Sequence, residues 1–440
     1  AIYDTLTWLE SDGTVIPWLA TGWQNIDDLT WEFSLRDDVM FSNGTPFSAD
    51  TVEFMVKYIA GDGPPTEDLR RELEPLAGAR ATGPYTIEIT TKRPMPMFPR
   101  LASIMPMVDP NAWQTMGPEA YQERPIGTGP FIAKEWTPTS VTMTAFLDSW
   151  RAPKADHLEI LAIGDPTARI QAFQSDRIDI SMGAEPDQFD DIRSMGGTIA
   201  AWQEGMVISI LLRTDQDNPL ADVRVRQALN MAVDRQAIVD VLLDGRTVVA
   251  SQPATRSAFG FDHALEPYPY DPIAARTLLA EAGYPDGFSF TVETGIGAAL
   301  VQRVADELSR IGVTMEVQMR PVMAFLSDFT GGRISRDGFM LSWTATPVLD
   351  ATQAVALHSC LKPRPWYCDQ NIMPTLMAAM GEWDTERALD LRHQVMRHYR
   401  DQAPGIFLHE SVGFAALSSK VSGFKYTYGK ILYDQMDLSD

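Results

Sequence analysis

The run from Phe288 to Thr344 constrains the fold more than any other part of the chain. FSFTVET reads as a strand, GIGAALVQRVADELSRIGV as a helix, TMEVQMR as a second strand and MLSWT as a third. Strands joined through a helical crossover pair in parallel, because only a long connection returns the chain to the same end of a sheet. The run therefore predicts an α/β architecture, and the carboxyl ends of its strands are where such sheets place ligands. Trp343 stands at one of those ends, in MLSWTATPVLD, where an apolar strand meets two threonines, a proline and an aspartate.

A chain of 440 residues is too long for one core, since single cores stop growing at about 250–300 residues. Two or three domains are expected. With 45% hydrophobic and 22% charged residues, the composition is that of a folded globular protein. A formal charge of −23 repels phosphate backbones and anionic headgroups, so no nucleic-acid partner is expected. No apolar run reaches the length of a membrane-spanning helix, and AIYDTLTWLE is neither signal nor anchor, as in a mature secreted protein.

Both cysteines, Cys360 and Cys368, lie in HSCLKPRPWYCDQ, whose prolines and Trp-Tyr pair mark a loop. Their closeness favours a disulfide over two buried thiols, and with it an oxidising compartment.

Upstream, TWEFSLRDDVMF alternates as a strand, SNGTPF turns, and SADTVEFMVKYIAG starts a helix on a capping serine. YTIEITT is a further strand, and the prolines of KRPMPMFPRLASIMPMVDP forbid a long helix. RPIGTGPFIAKEWTPTSVTMTAFLDSW reads as two strands around a turn, with GTGP at 127–130 as a tight turn. VRVRQALNMAVDRQAIVDVLLDG has helical spacing up to Gly245, and DPIAARTLLAEAGYPDG is a second helical segment.

The common catalytic patterns are missing. No two histidines stand four apart as in a zinc protease, and His393 and His398 turn to different helix faces. There is no Gly-x-Ser-x-Gly elbow and no phosphate loop ending in Gly-Lys-Ser/Thr. GIGAAL imitates a dinucleotide fingerprint, but Leu300 occupies the position where glycine or alanine lets the helix approach its strand. No catalytic residue, metal or cofactor is expected.

Four stretches together resemble the periplasmic solute-binding proteins of ABC importers, in the group that takes dipeptides, oligopeptides and nickel chelates. They are PWLATGWQNIDDLTWEFSLRDDVMFSNGTPFSADTVEF, RPIGTGPFIAKEW, NPLADVRVRQALNMAVDRQAIVDVLLDG with YDPIAARTLLAEAGYPDGF, and MLSWT with its following loop. The resemblance implies the two-lobed periplasmic-binding-protein fold, type II, with an extra inserted subdomain and the ligand cleft between closing lobes. Lobe I is expected at 1–24, 125–205 and 412–440, the inserted subdomain at 25–124, and lobe II at 206–411.

The same resemblance implies a monomeric, non-enzymatic protein, periplasmic or extracellular, delivering a small solute to an ABC permease in the membrane. A hydrolase or a sensory ligand-binding protein on the same scaffold is the alternative. The family normally begins with a strand and a loop before the segment matching AIYDTL, so either this sequence is a truncated form or its first lobe is built differently; some of the family's ligand contacts would fall in that part, and Tyr3 stands next to it.

In peptide-binding members of the family an aspartate three residues after the strand's tryptophan holds the ligand's ammonium group. Here that residue is Thr346, whose hydroxyl supplies no charge. An ammonium group with so imperfect a partner in a closed cleft costs about 1–3 kcal/mol. No arginine for a peptide carboxylate occurs in the ETGIG segment at 293–297 either. Ordinary dipeptides are therefore disfavoured, and a peptide-like, opine-like or oligosaccharide solute is easier to accept. The expected ligand contacts are Trp343, Thr344, Thr346, Tyr3 and Arg256, the last for an anionic group. His358, 15 residues after Trp343, is a lone imidazole and a poor metal site.

Overall fold

The computed structural model describes residues 1–61, 69, 72–362 and 365–439. Residues 62–68 and 70–71 of the expected inserted subdomain, and Pro363 and Arg364 of the cysteine loop, lie outside the described residues. The chain divides into two compact units, Ala1–Trp202 with Gly413–Asp440, and Gln203–Val412. It passes from one to the other within two long strands, Thr198–Leu212 and Gly405–Leu417.

In the first unit a four-stranded antiparallel sheet runs in the order Ala20–Asp27, Thr30–Leu35, Thr86–Thr91, Leu76–Gly83. The alternation in TWEFSL sends Trp31, Phe33 and Leu35 to one face, as period-two geometry requires. Helix Ala49–Ala60, with Ser48 at its amino-terminal cap, buries Val52, Met55, Val56 and Ile59. Phe98–Leu101 is one helical turn, as the flanking prolines dictate. A second sheet pairs Phe131–Trp136 with Ser140–Ala145 and then His157–Leu161.

The turn between the first two of these strands lies at 137–139, so GTGP is not that turn. Gly127 and Gly129 are instead sites of close backbone approach. A Cβ on Gly127 would stand 2.0 Å from the Ile2 carbonyl oxygen, and one on Gly129 would stand 2.4 Å from that of Ala1. Only glycine fits such a contact, and it lets the Gly129 amide donate to the Ile2 carbonyl at 2.9 Å.

In the second unit the strand order is Gly405–Leu417, Thr198–Leu212, Gly338–Thr344, Phe288–Thr294, Val313–Met319. Phe288–Thr294 pairs in parallel with both Val313–Met319 and Gly338–Thr344, with helix Ala298–Ser309 as the crossover. The parallel strands read from the sequence are present, within a mixed sheet in which Gly338–Thr344 also pairs antiparallel with Thr198–Leu212.

The helical run before Gly245 is two helices, Val223–Met231 and Arg235–Leu242. The break has a local cause: the Asp234 carboxylate accepts the Ala237 amide and caps a new helix. It also places the fully buried Arg235 guanidinium on the carbonyl of Asn230 at 2.7 Å and on its side-chain oxygen at 2.8 Å. A charge without a carboxylate partner is thereby satisfied by oxygen dipoles.

Candidate functional site

Trp343 ends the strand Gly338–Thr344 but does not form a wall. Its side chain is 0% exposed. Ring centroids of His358, Trp366, Tyr399 and Phe407 lie 4.8, 5.7, 5.8 and 5.8 Å away, all within the second unit. Its indole nitrogen donates to Ser209 Oγ at 2.8 Å. With its edges and faces occupied and its only polar atom satisfied, the expected ligand wall is a core ring.

His358 belongs to the same aromatic cluster. Trp366 Nε1 donates to His358 Nδ1 at 3.2 Å, so the ring proton sits on Nε2 and faces the Ser342 carbonyl, also 3.2 Å away. Both nitrogens are used within the core. Burial lowers the pKa to about 4, the Ser342 bond opposing.

The folded state therefore binds fewer protons than the unfolded chain between pH 4 and the ordinary value of 6.5. The contribution is fully present above that ordinary value and is lost as pH falls toward 4, by about 3 kcal/mol. Urea unfolding of the wild type and of His358→Gln should show the wild type losing more stability between neutral and acid pH. Equal losses in the two proteins would contradict the assignment.

Beyond the strand, Thr344 Oγ1 lies 3.2 Å from Ser342 Oγ. Thr346 is half-buried, and its hydroxyl has no hydrogen-bond partner among the described residues. The acid of this loop, Asp350, is committed elsewhere. Its oxygens accept the Thr352 amide at 2.8 Å, Arg392 Nε at 3.1 Å and Arg392 Nη2 at 2.7 Å. The loop thus presents a hydroxyl at 346 and no free carboxylate at 350. Cys360 and Cys368 are joined in a disulfide.

Arg256 lies beside a buried acid, Glu410. Its backbone amide donates to Glu410 Oε1 at 3.0 Å and its Nε to the same oxygen at 3.4 Å. The Arg256 side chain is 54% exposed and that of Glu410 only 2%. Burial raises the Glu410 pKa, and Arg256 opposes the rise.

Tyr3 lines a pocket of about 350 Å³ within the first unit, together with Asp4, Trp8, Trp18, Ile104 and Lys430. Trp8 and Trp18 stack with centroids 4.8 Å apart. Asp4 is structural: it accepts Trp18 Nε1 at 2.9 Å, Thr128 Oγ1 at 2.9 Å, Trp150 Nε1 at 3.1 Å and Arg151 Nε at 2.8 Å. Lys430 Nζ donates to the Ser103 carbonyl and lies 5.0 Å from the centre of the Trp8 ring. Burial lowers its pKa to about 8, although Asp4 raises it.

Trp8 Nε1 is buried with no hydrogen-bond partner among the described residues. Burial holds the Tyr3 phenol at about 12, so it stays protonated and can donate. The pocket is therefore lined by flat rings, a cation and a phenol, with an unpaired indole N–H on one of the lining residues, a set suited to a small polar solute with an anionic or carbonyl group. Sequence reasoning placed Tyr3 near a site and missed Trp8, Trp18 and Lys430. The cluster of tryptophans at 8, 18 and 23 was the one visible signal.

A model described as bacterial extracellular solute-binding proteins, family 5 middle, matches residues 14–354. Heme-binding protein A of Haemophilus influenzae is 26% identical over 468 residues, covering 96% of this chain and 84% of that protein. The glutathione-binding protein GsiB of Salmonella typhimurium is 25% identical over 445 residues, covering 96% and 86%. The crystal structure of NikA from Brucella suis in complex with Fe(III)-EDTA superposes with a TM-score of 0.85 at 22% identity, covering 100% of this chain and 94% of that one. With its two-unit α/β fold and a match over most of its length, the chain belongs to family 5 of the bacterial extracellular solute-binding proteins.

Proposed function

We propose that this chain is the extracytoplasmic solute-binding component of an ABC importer, capturing a small polar solute and delivering it to a membrane permease. The observation that carries the reading is the pocket of about 350 Å³ in the first unit, where stacked indoles meet a buried ammonium and an unused indole N–H. Family membership supports a binding protein over a hydrolase. No helix among the described residues is long and apolar enough to cross a membrane, and the disulfide accords with a periplasmic or extracellular place.

Tyr3, Thr344, Thr346 and Arg256 are the contacts we propose among the residues first read from the sequence. An ordinary dipeptide remains disfavoured, because Thr346 carries no charge and Asp350 is held by Arg392. Glutathione, opines, oligosaccharides, heme and simple dipeptides form the test panel in a thermal-shift experiment. A solute at a hundred times its dissociation constant stabilises the protein by about 2.7 kcal/mol, a readily visible shift. A dipeptide giving the largest shift would refute the argument from Thr346. Chemical consumption of the best ligand on incubation would refute the binding-protein reading itself.

A further inference from the structure

Two acceptors on neighbouring strands of the second unit are buried with no donor among the described residues. Glu410 Oε2 and Gln203 Oε1 are both buried without a hydrogen-bond partner. They belong to neighbouring strands, Gly405–Leu417 and Thr198–Leu212. The strands are tied here by Ser411 Oγ donating to Glu204 Oε2 at 2.5 Å, so Gln203 and Glu410 each lie one residue from the same bond.

The backbone around Glu410 is fixed: its amide donates to the Val248 carbonyl at 3.0 Å and its carbonyl accepts Thr247 Oγ1 at 2.6 Å. Such a frame leaves the orphan oxygen little freedom to find a partner by local movement. Beside it, Arg256 uses only its backbone N–H and its Nε on Glu410, and its terminal nitrogens make no hydrogen bond among the described residues.

A buried carboxylate oxygen without a donor is a costly arrangement that a donor from a ligand would relieve. A half-exposed guanidinium with its planar end unused is the group that takes carboxylates in two parallel bonds. Arg256 adjoins Glu410, and Gln203 stands on the neighbouring strand, so acceptors and donors share one region that suits a ligand carrying both an ammonium and a carboxylate.

We propose that Glu410, Gln203 and Arg256 form an anchor for an α-amino-acid head. The ammonium donates to Glu410 Oε2 and Gln203 Oε1, and the carboxylate on the same carbon pairs with the terminal nitrogens of Arg256. This rests on the solute-binding reading and deepens it. It names the cargo as an amino acid or a conjugate with a free α-amino-acid end. A dipeptide, whose ammonium and carboxylate sit on different residues, does not present that head.

Isothermal titration calorimetry on the full chain decides the matter, with glutathione and L-glutamate as headed probes. N-acetylated glutathione, alanylalanine, heme and an oligosaccharide serve as controls. At least one headed probe should bind, and acetylating the amino group of glutathione should weaken it tenfold or more. Glu410→Gln and Arg256→Met should each weaken the headed probe by the same order. Arg256→Met keeps the backbone N–H on Glu410 Oε1 but removes the guanidinium beside that buried acid, so it should fold with a lowered melting temperature, and its binding decides the case if Glu410→Gln does not fold.

Unchanged affinity in Arg256→Met, or equal binding of the acetylated probe, overturns the anchor. Binding of heme or the oligosaccharide with no headed probe binding overturns the anchor and leaves the solute-binding reading standing. Failure of every probe counts against both.

Discussion

Asp350→Ala should lower the stability of the protein by about 3–5 kcal/mol. The Arg392 side chain is 0% exposed, and two of its nitrogens rest on the Asp350 carboxylate. Removing the carboxylate leaves a guanidinium in the core with the carbonyls of Ala379 and Ala388 and the face of the Phe259 ring as its remaining partners among the described residues. It also uncaps helix Ala351–Ala356, whose Thr352 amide the same carboxylate accepts.

Because the cost arises from an uncompensated charge, Asp350→Ala combined with Arg392→Met should lose less than the two single changes summed. Chemical denaturation of the three variants measures this. Strict additivity would show that the pair is not coupled.

Trp343→Ala should cost about 3–5 kcal/mol, measured on the protein without any solute. The ring fills a space between His358, Trp366, Tyr399 and Phe407, and no smaller side chain reaches all four. Trp343→Phe should recover most of the packing and still lose about 1–3 kcal/mol, because Ser209 Oγ is left without its donor. A surface tryptophan that serves only as a ligand wall would give the opposite result: unchanged stability and weakened solute binding.

These two residues show how far the sequence could be read. Local patterns were reliable guides: TWEFSL alternates and is a strand, Ser48 precedes a helix, and the run from Phe288 to Thr344 is the parallel βαβ arrangement its periodicity implies. The exposure of Trp343 was not legible, because the rings that bury it come from residues 358, 366, 399 and 407, which no local pattern connects.

The first-unit pocket was hidden for the same reason. Asp4 is fixed by partners as distant as Thr128, Trp150 and Arg151, and Lys430 comes from the far end of the chain. The helix break at 232–234 is a different kind of miss. The cap at Asp234 was present in the sequence, but an uninterrupted apolar spacing concealed it.

Arg151 bonds both Asp4 and Asp434, Lys425 pairs with Glu10 at 2.7 Å, and the Tyr428 hydroxyl donates to the Ser11 carbonyl. Residues 413–440 thus complete a unit whose other part is made first. All of 203–412 precedes those partners in the chain, so the contiguous second unit has its whole sequence in hand while the first still lacks these contacts. Chain order and the order in which the two units can be completed are thereby inverted for the amino-terminal segment.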